Sequence, residues 1–75
     1  MIQEQAILHF NKFKGFKNQY VRDTLKGITL KVLKVRLAKI SEDDYEVKLL
    51  VISEVDNRSY EADSKYAHQN FKRVV

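Results

Sequence analysis

Two apolar runs separated by a short polar turn constrain this chain more than any other feature. Residues 28–40 read Ile-Thr-Leu-Lys-Val-Leu-Lys-Val-Arg-Leu-Ala-Lys-Ile, and residues 45–55 read Tyr-Glu-Val-Lys-Leu-Leu-Val-Ile-Ser-Glu-Val. Both are rich in side chains branched at Cβ, which lose rotamer freedom in a helix and fit a pleated surface. Ser41-Glu42-Asp43-Asp44 between them is polar and turn-forming. The pattern predicts a long antiparallel hairpin. A four-residue loop pairs Ile40 with Tyr45, sets Lys39 opposite Glu46 and sets Lys31 opposite Glu54. Such opposed charges contribute about 0.2–1 kcal/mol each. A two-residue loop at Asp43-Asp44 would set Lys39 against Lys48, so the longer loop is expected. Leu30, Leu33, Leu37 and Ile40 also fit a helical stripe, but Ile28, Thr29, Val32 and Val35 oppose it.

In that register one face carries Leu33, Val35, Leu37, Leu50 and Ile52. The other carries Leu30, Val32, Ala38, Ile40, Tyr45, Val47, Leu49, Val51 and Val55. Two apolar faces need two covers, and Leu50→Asp is expected to prevent folding. An N-terminal helix supplies one cover. Barrel closure, the C-terminal segment or a second copy in a homodimer supplies the other.

The flanks complete an α+β reading. Ile2, Ala6, Phe10 and Phe13 recur at helical spacing, with Ile7 beside them, which predicts an amphipathic N-terminal helix over 2–13. Gly15 stands where a left-handed C-terminal cap is wanted. Phe16, Tyr20, Val21 and Thr24 suggest a second short helical turn, stopped near Gly27. Asp56-Asn57 is a turn signal, and Arg58 to Ala62 reads as a third strand. Tyr66, Ala67, Phe71, Val74 and Val75 predict either a short C-terminal helix or a final strand, Phe71 to Val75, which would close an SH3-like barrel. With no Pro and two Gly there is no linker, so residues 1–75 read as a single domain.

Several function classes lose their chemistry at this point. No Cys means no disulfide, no thiolate and no Cys-based zinc site. His9 and His68 are the only imidazoles and have no metal-ligand spacing. Ser41, Ser53, Ser59 and Ser64 lack a nucleophile-elbow context, and two glycines cannot build a phosphate cradle or a dinucleotide fingerprint. Neither an enzyme nor a cofactor is expected. The chain has no apolar run long enough to span a bilayer and no signal-peptide pattern, which points to the cytoplasm.

Charge carries the remaining information. The net charge of +4 is the residue of +7 over residues 1–40, −6 over 41–63 and +3 over 64–75. The stretch Phe10-Asn11-Lys12-Phe13-Lys14-Gly15-Phe16-Lys17-Asn18-Gln19-Tyr20 interleaves aromatics with lysines. Lysines neutralise phosphates, and exposed rings stack on unpaired bases. Phe10 and Phe13 lie on the apolar stripe and belong to the core. The candidate binding residues are therefore Lys12, Lys14, Phe16, Lys17, Tyr20, Arg22, Lys34, Arg36, Lys72 and Arg73. Lys34 and Arg36 stand mid-strand on an apolar face, as a basic ridge or as solvated heads on packed stems. Glu42, Asp43, Asp44 and Glu46 form an acidic tip without the spacing or glycine of a calcium loop, and read as a solvated turn or a docking tip.

The bias toward Lys, Asn, Ile and Tyr, with no Pro or Cys, resembles that of small early proteins of phages infecting low-GC hosts. That resemblance lies in size and composition. It implies a viral, host-takeover inhibitor that acts in the host cytoplasm by covering a functional surface of a replication, transcription or defence protein. Two expectations follow. One is a small non-enzymatic protein that binds nucleic acid. The other is an inhibitor docked on a host protein of nucleic-acid metabolism.

Overall fold

The computed structural model describes residues 1–74. It contains two helices and a five-stranded antiparallel sheet, open rather than closed. The elements run α1 (Gln3–Lys14), β1 (Tyr20–Asp23), β2 (Ile28–Ser41), β3 (Asp44–Ser53), β4 (Ser59–Asp63), α2 (Ser64–Asn70) and β5 (Phe71–Arg73). The strand order is β4-β3-β2-β1-β5. The α+β class, the N-terminal helix, the long hairpin and the third strand stand as expected, while the SH3-like closure does not form. The C-terminal segment is helix first and strand afterwards. Val75, the end of the expected strand, lies outside the described residues.

The hairpin differs from expectation in its turn and its register. Glu42 and Asp43 alone form the loop, and Ser41 pairs with Asp44. Lys39 lies opposite Tyr45 instead of Glu46, and Lys31 opposite Ile52 instead of Glu54. Two bulges, at Leu33 and Ile40, shift the pairing along the strand. Each extra residue changes which side chains face inward. Leu30 and Val32 before the bulge at Leu33, and Val35 and Leu37 after it, therefore share the face of Val47, Leu49 and Val51. Ala38, Leu50 and Ile52 take the opposite face.

Among the described residues, only one face of the sheet is covered. Both helices lie on it, over a core of Phe13, Val21, Leu30, Val32, Leu49, Val51, Ala62, Ala67 and Phe71. In α1, Ala6 and Phe13 are buried and His9 and Phe10 half-buried, whereas Ile7 and Leu8 face out. The start of α1 is tied to the hairpin tip. Tyr45 N–H donates to the Met1 carbonyl at 2.8 Å, and the Met1 ammonium donates to Asp44 Oδ1 at 2.6 Å.

Residues 16–24 are not helical. Gly15 keeps a right-handed φ of −72°, and the left-handed residue is Asn18, at φ 65°. Asparagine tolerates that conformation better than most residues. There the chain reverses: Asn18 N–H reaches the Val32 carbonyl at 2.7 Å, and Val32 N–H reaches that of Gln19 at 2.9 Å. Tyr20–Asp23 then runs between β2 and β5, with Val21 and Asp23 inward and Tyr20 and Arg22 outward. Asp23 accepts from the N–H groups of Leu25 and Lys26, both at 3.0 Å, which closes the turn ending at Gly27, φ 69°.

Candidate nucleic-acid interface

Antiparallel partners share a face, so the strand register locates each side chain on the open side of the sheet. Lys72 on β5 stands beside Arg22 on β1, which stands beside Thr29 on β2. In the next row Tyr20 stands beside Lys31, and Lys31 beside Ile52. Lys34 follows, beside Leu50, and then Arg36 beside Lys48. One corner of the open face is therefore aromatic and cationic: Tyr20, Arg22, Lys31, Lys34 and Lys72. Half-buried Leu50 and Ile52 form its apolar floor.

The opposite corner is neutralised. Arg36 Nε donates to Glu61 Oε2 at 2.6 Å, and its Nη2 reaches Glu46 at 3.4 Å. Lys48 Nζ lies 3.4 Å from Asp63 and 3.9 Å from Glu46. The bond to Arg36 holds the Glu61 carboxyl below its ordinary value. Burial works against ionisation of Asp63, yet the Lys65 N–H and the Lys48 ammonium hold it low as well. No such partner reaches the first corner. Among the described residues, Arg22, Lys31, Lys34 and Lys72 form no ion pair. Arg22 is instead oriented by the Gly27 carbonyl at 2.9 Å and Thr29 Oγ1 at 3.3 Å. Tyr20 is 41% exposed, and the Lys31 ammonium lies 5.8 Å from the centre of its ring.

The remaining candidate residues lie elsewhere. Lys12 is on the helix side, 2.6 Å from His68 Nδ1. Lys14 and Lys17 are exposed at and just beyond the end of α1. Phe16 is half-buried against the core, in a T-shaped pair with Phe13 at 5.6 Å, and the Arg73 guanidinium lies 5.4 Å from its ring centre, so its ring is already engaged within the protein. Arg73 belongs to the row of buried Val21 and is held by Gln19 at 2.8 Å. Of the acidic tip, Glu42 and Asp43 are exposed, Asp44 holds the Met1 ammonium, and Glu46 joins the ion pairs of the open face. The Met1 ammonium holds the Asp44 carboxyl low. A cleft of about 350 Å³ lies between this tip and the start of α1, lined in part by Glu4, Glu42, Asp43 and Tyr45. No group of three side chains suited to a metal ion occurs among the described residues, and no described helix is long and apolar enough to cross a membrane.

The sequence reading missed Lys31. Its assumed partner was Glu54, and a cation opposite an anion reads as structural. Once the register is known, alternation along β1 and β2 identifies it. Comparison with family models, curated proteins and solved structures finds no match to this chain.

Proposed function

We propose that the protein binds single-stranded nucleic acid on the open face of its sheet, as a non-enzymatic module of the cytoplasm. The observation that carries the reading is the sorting of charge on that face. Glu46, Glu61 and Asp63 are matched to Arg36 or Lys48, and among the described residues Arg22, Lys31, Lys34 and Lys72 around Tyr20 form no ion pair. Unpaired cations attract phosphates and release counterions. An exposed ring at their centre stacks on a base of any identity, so affinity outweighs sequence choice. The floor of Leu50 and Ile52 gives the sugar–base edge an apolar contact.

Fluorescence anisotropy with a labelled single-stranded oligonucleotide tests this. Log affinity is expected to fall with log salt with a slope of roughly −3, for four or five phosphates neutralised. Tyr20→Ala is expected to cost about 1–3 kcal/mol of binding. Lys31→Glu combined with Lys72→Glu is expected to abolish binding, while Lys12→Ala on the helix side leaves it unchanged. No binding at low salt, or equal loss from Lys12→Ala, overturns the proposal. Co-purification from the native host, with and without nuclease, separates this reading from docking on a host protein, which predicts a nuclease-resistant partner.

A further inference from the structure

β2 is a full strand on one side and half a strand on the other. Its pairing with β3 runs from Leu30 to Ser41. Its pairing with β1 ends at Lys31, and the last bonds on that side are those of Val32. Among the described residues, Lys34 to Ser41 has no neighbour on that edge. An unpaired row of N–H and C=O groups is a template for another strand. The bulges at Leu33 and Ile40 bracket a regular run from Lys34 to Lys39.

On the helix side this margin carries Leu37, with exposed Lys39 beyond it in the same row and Ile40 at the bulge. Leu37 is 40% exposed and Ile40 57%. On α1, His9 and Lys12 turn toward α2 through their contacts with Ser64 and His68. The opposite flank, with Ile7, therefore faces the free edge of β2, and Ile7 is 42% exposed. α1 begins at the hairpin tip beside Tyr45. Rises of about 1.5 Å per helical residue and 3.3 Å per strand residue then bring Ile7 to the level of Leu37.

We infer that this margin is an interface between two copies of the chain, related by a two-fold axis beside Leu37 and perpendicular to the sheet. Two antiparallel β2 edges join into one continuous ten-stranded sheet. α1 packs over both β2 and β3. With strands about 4.8 Å apart, the two α1 axes fall about 10 Å from each other, the spacing at which helices pack. Ile7, Leu37 and Ile40 of both copies are then buried together. Charge agrees with the arrangement. The acidic tip of each copy, Glu42 and Asp43, is carried to the shoulder of the other where β1 begins, beside Lys17. A two-fold axis makes this contact twice. The open faces of both copies end on the same side, but the inference does not depend on what that face binds.

Light scattering and analytical ultracentrifugation test it on the whole chain. A dimer of twice 8.9 kDa is expected. Ile7→Glu leaves the circular dichroism spectrum intact and shifts the chain to monomer. Asp43→Lys weakens association about tenfold, and adding Lys17→Glu in the same chain restores it, because the pair is exchanged at both contacts. Amide exchange at residues 35–39 is slow in the dimer and fast in the Ile7→Glu monomer. A wild type that stays monomeric at high micromolar concentration overturns the inference, including one whose edge takes up a strand of a different protein. So does a dimer indifferent to Ile7→Glu and to the charge exchange.

Discussion

Asp23 is the residue whose role depends most on its surroundings. It is fully buried, yet three donor groups reach it: the N–H groups of Leu25 and Lys26, and Tyr66 Oη, which lies 2.9 and 3.1 Å from the two carboxylate oxygens. It fastens the β1–β2 turn to α2. Burial and this carboxylate both raise the pKa of the Tyr66 phenol. Asp23→Ala leaves three donor groups without their partner and is expected to lower stability by about 3 kcal/mol in denaturant titration. Tyr66→Phe, which removes one donor and keeps the ring, is expected to cost about 1 kcal/mol. The neighbours Leu49 and Leu50 give a second contrast at this scale. Leu49 is fully buried in the core, and Leu50 is half-buried on the open face. Leu49→Asp is expected to prevent folding. Leu50→Asp is expected to leave a folded chain, which reverses the expectation drawn from sequence alone. Circular dichroism of the two variants checks both.

Among the elements, the contact of α1 with α2 carries a pH dependence. His9 Nδ1 lies 2.8 Å from Ser64 Oγ, and its ring stacks on His68 at 5.6 Å. Burial, then His68 and Lys12, lower the His9 pKa from 6.5; Asp63 opposes them and Lys65 adds to them. The folded state therefore favours neutral imidazole, and the unfolded chain binds more protons below that value. This contribution to stability is complete above pH 6.5 and is lost as pH falls through the lowered value. The Tm is expected to fall between about pH 7 and 5, and His9→Gln, which keeps a partner for Ser64, to flatten that decline. Equal slopes in the two proteins would contradict the assignment. The lowered carboxyls of Asp44, Glu61 and Asp63 act only further into the acid, below their ordinary values of 3.8 to 4.5. β1 was not legible from its own residues. Tyr20-Val21-Arg22-Asp23 is too short to display a period, and it is a strand because β2 and β5 flank it.

At the scale of the molecule, the run of charges along the chain is re-sorted in space. Arg36 of the basic first segment joins Glu46 and Glu61 of the acidic segment, and Lys48 joins Asp63. What remains is a cationic corner around Tyr20 and an exposed acidic tip at Glu42 and Asp43. The amino-acid sequence by itself determined the α+β class, the helix at the start, the hairpin and the third strand. Each of these follows from side-chain period and turn chemistry within about a dozen neighbouring residues. Only the tertiary structure decided the register, the inward face of β2 and the set of cations left free. Those depend on two bulges and on the anions of β4, which lies about 25 residues away from Arg36 along the chain. Local charge pairing across the hairpin is worth less than burying Val35 with Leu49 and Val32 with Val51 on one face, because apolar burial stabilises by about 1.5–3 kcal/mol per large side chain and an exposed charge pair by about 1 kcal/mol or less.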